Sequence, residues 1–273
     1  MGTVKSKPTI AWFSGGVTSA AACYLEVLAG KEVRVVFIDT RNEHPDTYRF
    51  IADCEEWYNC EIEVISNSKY DTIHDVWHDF LSLNTAKGAI CSSELKRAVR
   101  IDFQKRNEYS TQVFGFDASE QTRADNLLSN YPDAKAKFPL IEMGLTKEQC
   151  AELLANNGIR LPAPYVLGYR NNNCFQTGCV RGGVGYWKKI QAEEPEKFER
   201  MANLEHELTA LKGKPVTILK DQTKQAKQTG RKRVFLKSNP EYPELKSIEQ
   251  MKGRKVKPLP ECTGLCYRPK PAN

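Results

Sequence analysis

The segment Phe13-Ser14-Gly15-Gly16-Val17-Thr18-Ser19-Ala20 places the tightest constraint on this chain. An apolar run, Thr9 to Phe13, feeds directly into it, and an apolar run of helical character, Ala20 to Leu28, leaves it. Strand, tight Gly turn and helix start together form a cradle for phosphate. Glycine lets the backbone approach an anion closely, and the first N–H groups of the helix point at it. The hydroxyls of Ser14, Thr18 and Ser19 add donors. The spacing is neither Gly-x-Gly-x-x-Gly nor Gly-x-x-x-x-Gly-Lys-Ser/Thr. A plain strand-to-helix turn is the competing reading.

The same alternation continues along the chain. Apolar, strand-like runs occupy 9–13, 33–38, 62–65 and 111–116. Helical spacing occupies 46–58 behind Pro45, then 71–81, 92–107 and 150–157. This order predicts an α/β fold, a doubly wound and mostly parallel sheet with helices on both faces. Ligands in such folds sit at the carboxyl ends of strands, where Ser14, Asp39 and Gly115 fall. Past Gly158 the pattern changes. Leu161-Pro162-Ala163-Pro164 reads as a rigid connector, 168–185 as a loop rich in Gly, Asn and Cys, and 186–211 as one long helix. A basic stretch with short strands at 216–219 and 233–236 comes next. The division expected is a nucleotide-binding domain over 1–208 and a basic appendage with a cysteine-containing tail over 209–273.

Hydrophobic content of 40% and charge of 27% over 273 residues are ordinary for a globular protein. No run is long and apolar enough to span a membrane, and Met1-Gly2-Thr3-Val4-Lys5 does not read as a secretion signal, so the expectation is cytoplasmic, with no membrane partner. The net charge of +6 is unevenly spread: residues 212–257 hold 14 Lys/Arg against four acids, leaving the remainder slightly acidic. Such a segment marks either a DNA or RNA contact or a solvated basic surface. Nine cysteines, an odd number in an expected reducing compartment, argue for metal or reactive thiols over a disulfide framework. Cys23, Cys54, Cys60 and Cys150 lie in or beside apolar runs and read as buried structural thiols. Cys91, Cys174, Cys179, Cys262 and Cys266 do not.

Several motifs in order resemble one family. They are the Ser14-Gly15-Gly16-Val17-Thr18-Ser19 loop and Asp39-Thr40-Arg41-Asn42-Glu43-His44 after the second strand. Then come Cys91-Ser92-Ser93-Glu94-Leu95-Lys96, Gly115-Phe116-Asp117-Ala118-Ser119-Glu120, and Asn171-Asn172-Asn173-Cys174-Phe175-Gln176-Thr177-Gly178-Cys179. Over residues 8–208 the chain resembles the phosphoadenosine phosphosulfate reductase family of the pyrophosphate-loop superfamily, and within it the members carried by phages and mobile elements.

The resemblance implies an adenine nucleotide ligand, ATP or an adenylyl-sulfate type, with magnesium as a candidate companion. Ser14, Gly15, Gly16, Thr18 and Ser19 would hold its phosphates, Asp39 and Thr40 its adenosine or ribose, and Gly115 and Phe116 its adenine. Glu120 and Arg123 would form an ion pair at the pocket edge or meet phosphate; Glu43, His44 and Lys96 stand nearby. It further implies a [4Fe–4S] cluster on Cys91, Cys174, Cys179 and one of Cys262 or Cys266, taken as Cys266. A zinc site on Cys174, Cys179, Cys262 and Cys266 is the alternative.

Three departures bear on activity, the first being Cys91-Ser92 where the similar assimilatory adenylyl-sulfate reductases carry paired cysteines. Thr18 replaces the usual Asp or Lys of the loop, and the tail Glu261-Cys262-Thr263-Gly264-Leu265-Cys266 replaces Glu-Cys-Gly-x-His, though Cys262 or Cys266 could still supply a nucleophile. The expected activity is therefore a sulfurtransferase-like or adenylating enzyme acting on nucleic acid. A sulfonucleotide reductase that releases sulfite and a non-catalytic nucleotide binder stand as alternatives, and self-association stays open.

Overall fold

The computed structural model describes residues 6–30, 32–85, 88–172, 174–230 and 232–259. Five parallel strands form the central sheet: β1 (Thr9–Phe13), β2 (Val33–Asp39), β3 (Ile62–Ser66), β4 (Thr111–Phe114) and β5 (Ala136–Lys137). Their spatial order is β3-β2-β1-β4-β5, with every neighbouring pair parallel. The order reverses between β1 and β4, and a crevice opens at the carboxyl ends of strands at such a reversal. Ser14 and Gly115 directly follow those two strands. The α/β, doubly wound parallel architecture expected from the alternation is the one observed.

Alternate residues of the strands feed opposite faces, as a pleated strand dictates. Ala11, Phe13, Val35 and Phe37 join one core; Ile10, Trp12 and Val36 join the other. On the first face lies helix α1 (Val17–Leu28), whose Ala20, Ala21, Ala22 and Cys23 are buried. These small side chains let the helix axis come close to the sheet and fix where its N-terminus points. Helix α2 (Asp46–Tyr58) packs Phe50 against Phe13, ring centroids 5.8 Å apart. Asp46, in its first turn, accepts from Arg49 and from Ala163 N–H at 2.8 Å, and so ties the proline connector to the domain.

A third core lies apart from the sheet. Trp77, Trp187, Phe198 and Leu208 pack there with Val216, Ile218, Val234, Leu236 and Ile248. The last five come from a three-stranded sheet, or its edges: β6 (Leu219–Lys220), β7 (Arg233–Phe235) and β8 (Lys246–Ser247). Residues 216–248 thus share a core with 70–208.

Three expectations need correction, and the first is the strand over 216–219, which is observed only at Leu219–Lys220. The single helix over 186–211 is two: α4 (Val184–Glu193) and α5 (Pro195–Lys212). Glu194 precedes proline and sits at φ −137°, ψ 61°, outside the helical basin that Pro195 denies it. The strand over 111–116 ends at Phe114, because Gly115 turns into the site. Cys23, Cys54 and Cys150 are buried as expected, while Cys60 is half-buried. Burial pushes the Cys54 and Cys150 thiols up to about 12, which leaves them unreactive at neutral pH. No helix among the described residues is long and apolar enough to cross a membrane.

Candidate functional site

At the strand reversal lies a cavity of about 740 Å³. It is lined by the Ser-Gly-Gly loop, the Cys91 helix start, the Gly115 turn and the Asn-rich cysteine loop.

The loop is built to present N–H groups. Gly15 adopts φ +75°, a left-handed conformation that favours glycine. Gly16, at the N-cap of α1, has no side chain to cap the helix start. Its Val17 N–H donates to Tyr165 Oη at 3.3 Å. Ser19 is 2% exposed and its Oγ donates to Gly16 O at 2.8 Å, while accepting from Ser14 N–H at 3.0 Å. Ser14 Oγ donates to that hydroxyl at 3.0 Å, so Ser14 and Ser19 brace the loop together, and Thr18 lines the cavity beside them.

Gly115 serves the site through packing. A Cβ there would stand 2.4 Å from Ser19 Cα and 2.6 Å from Ser19 N. The missing side chain is what lets the first turn of α1 rest on the end of β4.

The Asn-rich motif locks the loop from the other side. Asn172 is buried, and its Nδ2 donates to Gly15 O at 2.8 Å and Thr47 Oγ1 at 3.0 Å. Asn42 Nδ2 donates to Thr177 Oγ1 at 2.7 Å, and Phe175 N–H donates to Asn42 O at 2.9 Å. These bonds carry Cys174 and Cys179 to the wall that also holds Cys91.

Of the residues named from sequence, Ser14, Gly16, Thr18, Ser19, Thr40, Cys91, Gly115, Phe116, Glu120, Arg123, Cys174 and Cys179 line this cavity. Gly15, buried within the loop, is not part of the lining. Asp39 lies outside the lining and accepts from Arg41 N–H at 2.7 Å and from Tyr48 Oη at 3.0 Å. Glu120 pairs with Arg123 at 2.7 Å, and Arg123 lies 4.1 Å over the Phe116 ring. Thr40 Oγ1 donates at 2.8 Å to Glu43, which is buried and 3.6 Å from Lys96. Glu43 holds the Lys96 ammonium above its ordinary range, on the same side as the three thiols. His44, half-buried with its pKa lowered by burial, packs on Phe175 instead of entering the cavity. Cys262 and Cys266 lie outside the described residues.

Burial pushes Cys91 up to about 11 and Cys174 up to about 12. Both are therefore thiols at neutral pH until a metal or a base takes the proton. Among the described residues, no three Cys, His, Asp or Glu side chains already stand as a metal-holding group. Cys91 opens an irregular helical segment whose Ser93–Ala98 turns are π-helical. Such turns are frequent at functional sites.

Sequence reasoning missed Lys147. It is the first residue of helix α3 (Lys147–Asn156), is 8% exposed, and faces the cavity. Its Nζ donates to Asn171 Oδ1 and lies 5.3 Å over the Tyr165 ring. Burial lowers its pKa to about 8. A lysine at a helix N-terminus opposes the macrodipole. That misfit, visible at Thr146-Lys147-Glu148-Gln149, was the available signal.

The cost of this lysine is testable. Between pH 8 and 10.5 the unfolded chain holds a proton on Lys147 that the folded chain has released, so this group makes stability rise with pH across that window. Lys147→Met is expected to raise stability at pH 7 by as much as about 3 kcal/mol and to remove that rise, while weakening nucleotide binding. Denaturant melts against pH check the first part and ATP titration the second.

Residues 8–177 match the family described as the phosphoadenosine phosphosulfate reductase domain. The chain belongs to that family. It is thereby a member of the pyrophosphate-loop superfamily of nucleotide-binding enzymes, and the matched stretch runs from β1 to Thr177. An uncharacterized nin region protein, ORF290 of Escherichia phage lambda, is 43% identical over 56 residues, which is 19% of this chain and 19% of that protein's length.

Three solved structures are similar. Phosphoadenylyl-sulfate reductase from Candida auris, a phosphate complex, is 14% identical at TM-score 0.47, covering 63% of this reductase-family chain and 83% of that one. NMN synthetase from Francisella tularensis is 18% identical at TM-score 0.42, with 78% and 80% covered. The U34-tRNA thiolase NcsA from Methanococcus maripaludis, with its [4Fe-4S] cluster, is 13% identical at TM-score 0.40, with 75% and 73% covered.

Proposed function

We propose that this reductase-family protein is an adenine-nucleotide-dependent enzyme of sulfurtransferase-like or adenylating type, acting on a nucleic acid. One observation carries the reading: a single cavity holds both the Ser-Gly-Gly loop and the thiols of Cys91, Cys174 and Cys179. The loop amides and the helix start of α1 hold the nucleotide phosphates. Lys147 and Arg170, on the cavity wall, offset the charge that develops there. In an adenylation step the acceptor oxygen bonds to the α-phosphorus and pyrophosphate departs with the bonding electrons. Phe116, stacked on Phe138 with centroids 5.4 Å apart, gives the adenine an apolar wall.

Three soft thiols on one wall suit a [4Fe–4S] cluster, with Cys266 as the fourth ligand in this reading. A bound cluster would supply sulfur-ligated, redox-active iron beside the phosphates. The shared wall of Cys91 with Cys174 and Cys179 supports this over zinc on Cys174, Cys179, Cys262 and Cys266, which would leave Cys91 idle. Purification without oxygen is expected to give a brown protein with about four irons per chain. A colourless protein with one zinc would overturn the cluster.

The family match itself favours a second reading, release of sulfite from a sulfonucleotide, with Cys262 or Cys266 as the attacking thiol. Acceptor-dependent pyrophosphate formation from ATP supports the first reading. Sulfite formed from adenylyl sulfate or its 3′-phosphate with a thiol donor supports the second. Nucleotide binding with neither product would mark a binder only.

A further inference from the structure

A second groove, of about 730 Å³, continues from the nucleotide cavity and shares Ser14, Lys96, Arg123 and Arg181 with it. Its lining includes Lys96, Arg97, Arg100, Arg123 and Arg181, and no Asp or Glu. The first cavity, by contrast, carries Asp117 and Glu120. Among the described residues no carboxylate stands within ion-pair distance of Arg97, Arg100 or Arg181. Arg97 touches Ser93 Oγ at 2.5 Å, and Arg100 lies between the rings of Phe114 and Tyr131, at 5.3 and 5.6 Å. Guanidinium groups held over aromatic faces keep their donors free for phosphate oxygens.

We propose that this groove seats the sugar–phosphate backbone of a single nucleic-acid strand and leads the acceptor to the nucleotide cavity. The proposal rests on the reading of that cavity as the adenine-nucleotide site. Lys96 is paired with Glu43 and Arg123 with Glu120, and the three arginines left, Arg97, Arg100 and Arg181, still exceed the charge of one phosphate, whereas successive phosphates of a strand match them. Tyr131 at the rim offers a stacking face, and Asn126 and Asn130 offer hydrogen bonds to base edges. In the basic segment 212–257, some of the fourteen cations are engaged within the protein: Lys237 pairs with Glu199 at 2.7 Å, Lys246 with Asp221 at 2.8 Å, and Lys212 donates to Leu81 O at 2.7 Å, so the segment is the rival that the test must separate from the groove.

The test uses the full chain and a fluorescein-labelled 20-mer, as single-stranded DNA and as RNA, followed by anisotropy at several salt concentrations. ATP binding is followed in parallel by calorimetry. The Arg97→Gln/Arg100→Gln variant is expected to bind the preferred strand at least about ten-fold more weakly, with a salt slope smaller by about one to two. Its thermal melt and ATP affinity are expected to stay at wild-type values. Lys224→Gln/Lys227→Gln is expected to bind the strand within about two-fold of wild type. Wild-type strand binding by the groove variant, a loss confined to the Lys224/Lys227 variant, or no strand binding by a protein that binds ATP would each overturn the groove. Equal competition by polyglutamate would also overturn it, since any polyanion would then do. Strand binding without ATP binding would overturn the nucleotide reading and leave the groove standing.

Discussion

Gly115→Ala is expected to lower the melting temperature sharply and to abolish nucleotide binding. The new Cβ would lie 2.4 Å from Ser19 Cα, 2.6 Å from Ser19 N and 2.9 Å from Thr18 C. All three are backbone atoms of the first turn of α1, so no side chain can rotate aside. Either the end of β4 or the start of α1 must shift. Overpacking of this kind costs about 1–3 kcal/mol, and rigid backbone on both sides puts this case at the upper end. The shifted element carries the loop amides, and a displacement of about 1 Å at a reacting centre costs about a hundred-fold in rate. Gly183→Ala is the control, since nothing lies within 4 Å of a Cβ there and φ is −81°. A Gly115→Ala protein with the melt and ATP affinity of wild type would refute this packing role.

The second large effect lies far from the cavity. Glu205, on α5, is fully buried; its Oε1 accepts from Ile218 N–H and its Oε2 from Leu236 N–H, each at 2.6 Å. One carboxyl thus pins two separate segments of residues 216–236 to the helix. Glu205→Ala would strand two buried N–H groups, at about 1–3 kcal/mol each, and leave a void. The expected loss is about 3–5 kcal/mol. Urea melts would read it, and a loss below about 1 kcal/mol would show that water or a shifted side chain replaces the carboxyl. Burial also pushes this carboxyl up to about 8, against the pull of the two N–H groups. Its folded pKa is above the unfolded 4.5, so its contribution is complete below pH 4.5 and fades as pH climbs to about 8. Glu205→Gln is expected to flatten that decline.

How far the sequence is legible depends on how local each signal is. The bounds of α2 and the place of β1 are legible in the apolar pattern, β1 because all of Thr9–Phe13 is buried, whereas β5, two half-buried residues at Ala136–Lys137, is too short to show a pattern. The loop at Ser14 is legible because glycine pairs and helix starts act locally. What escapes depends on contacts distant in sequence. Asn172 stitches Gly15 to Thr47 across more than a hundred residues, and nothing beside it in the chain announces this. Ser19 reads as a ligand donor from its place in the loop, yet its proton goes to Gly16 O. The π-helical turns after Cys91 keep ordinary helix composition, so periodicity does not separate them from an α-helix. The break at Pro195 is written in the sequence, and the apolar spacing on both sides conceals it.

The central claim is that nucleotide phosphates sit on the amides at the start of α1. Calorimetric titration with ATP, alone and in the presence of pyrophosphate, tests it most directly. One ATP per chain is expected, displaced by pyrophosphate and bound far better than adenosine. ATP binding that pyrophosphate leaves untouched, or adenosine binding as tight as ATP, would contradict it.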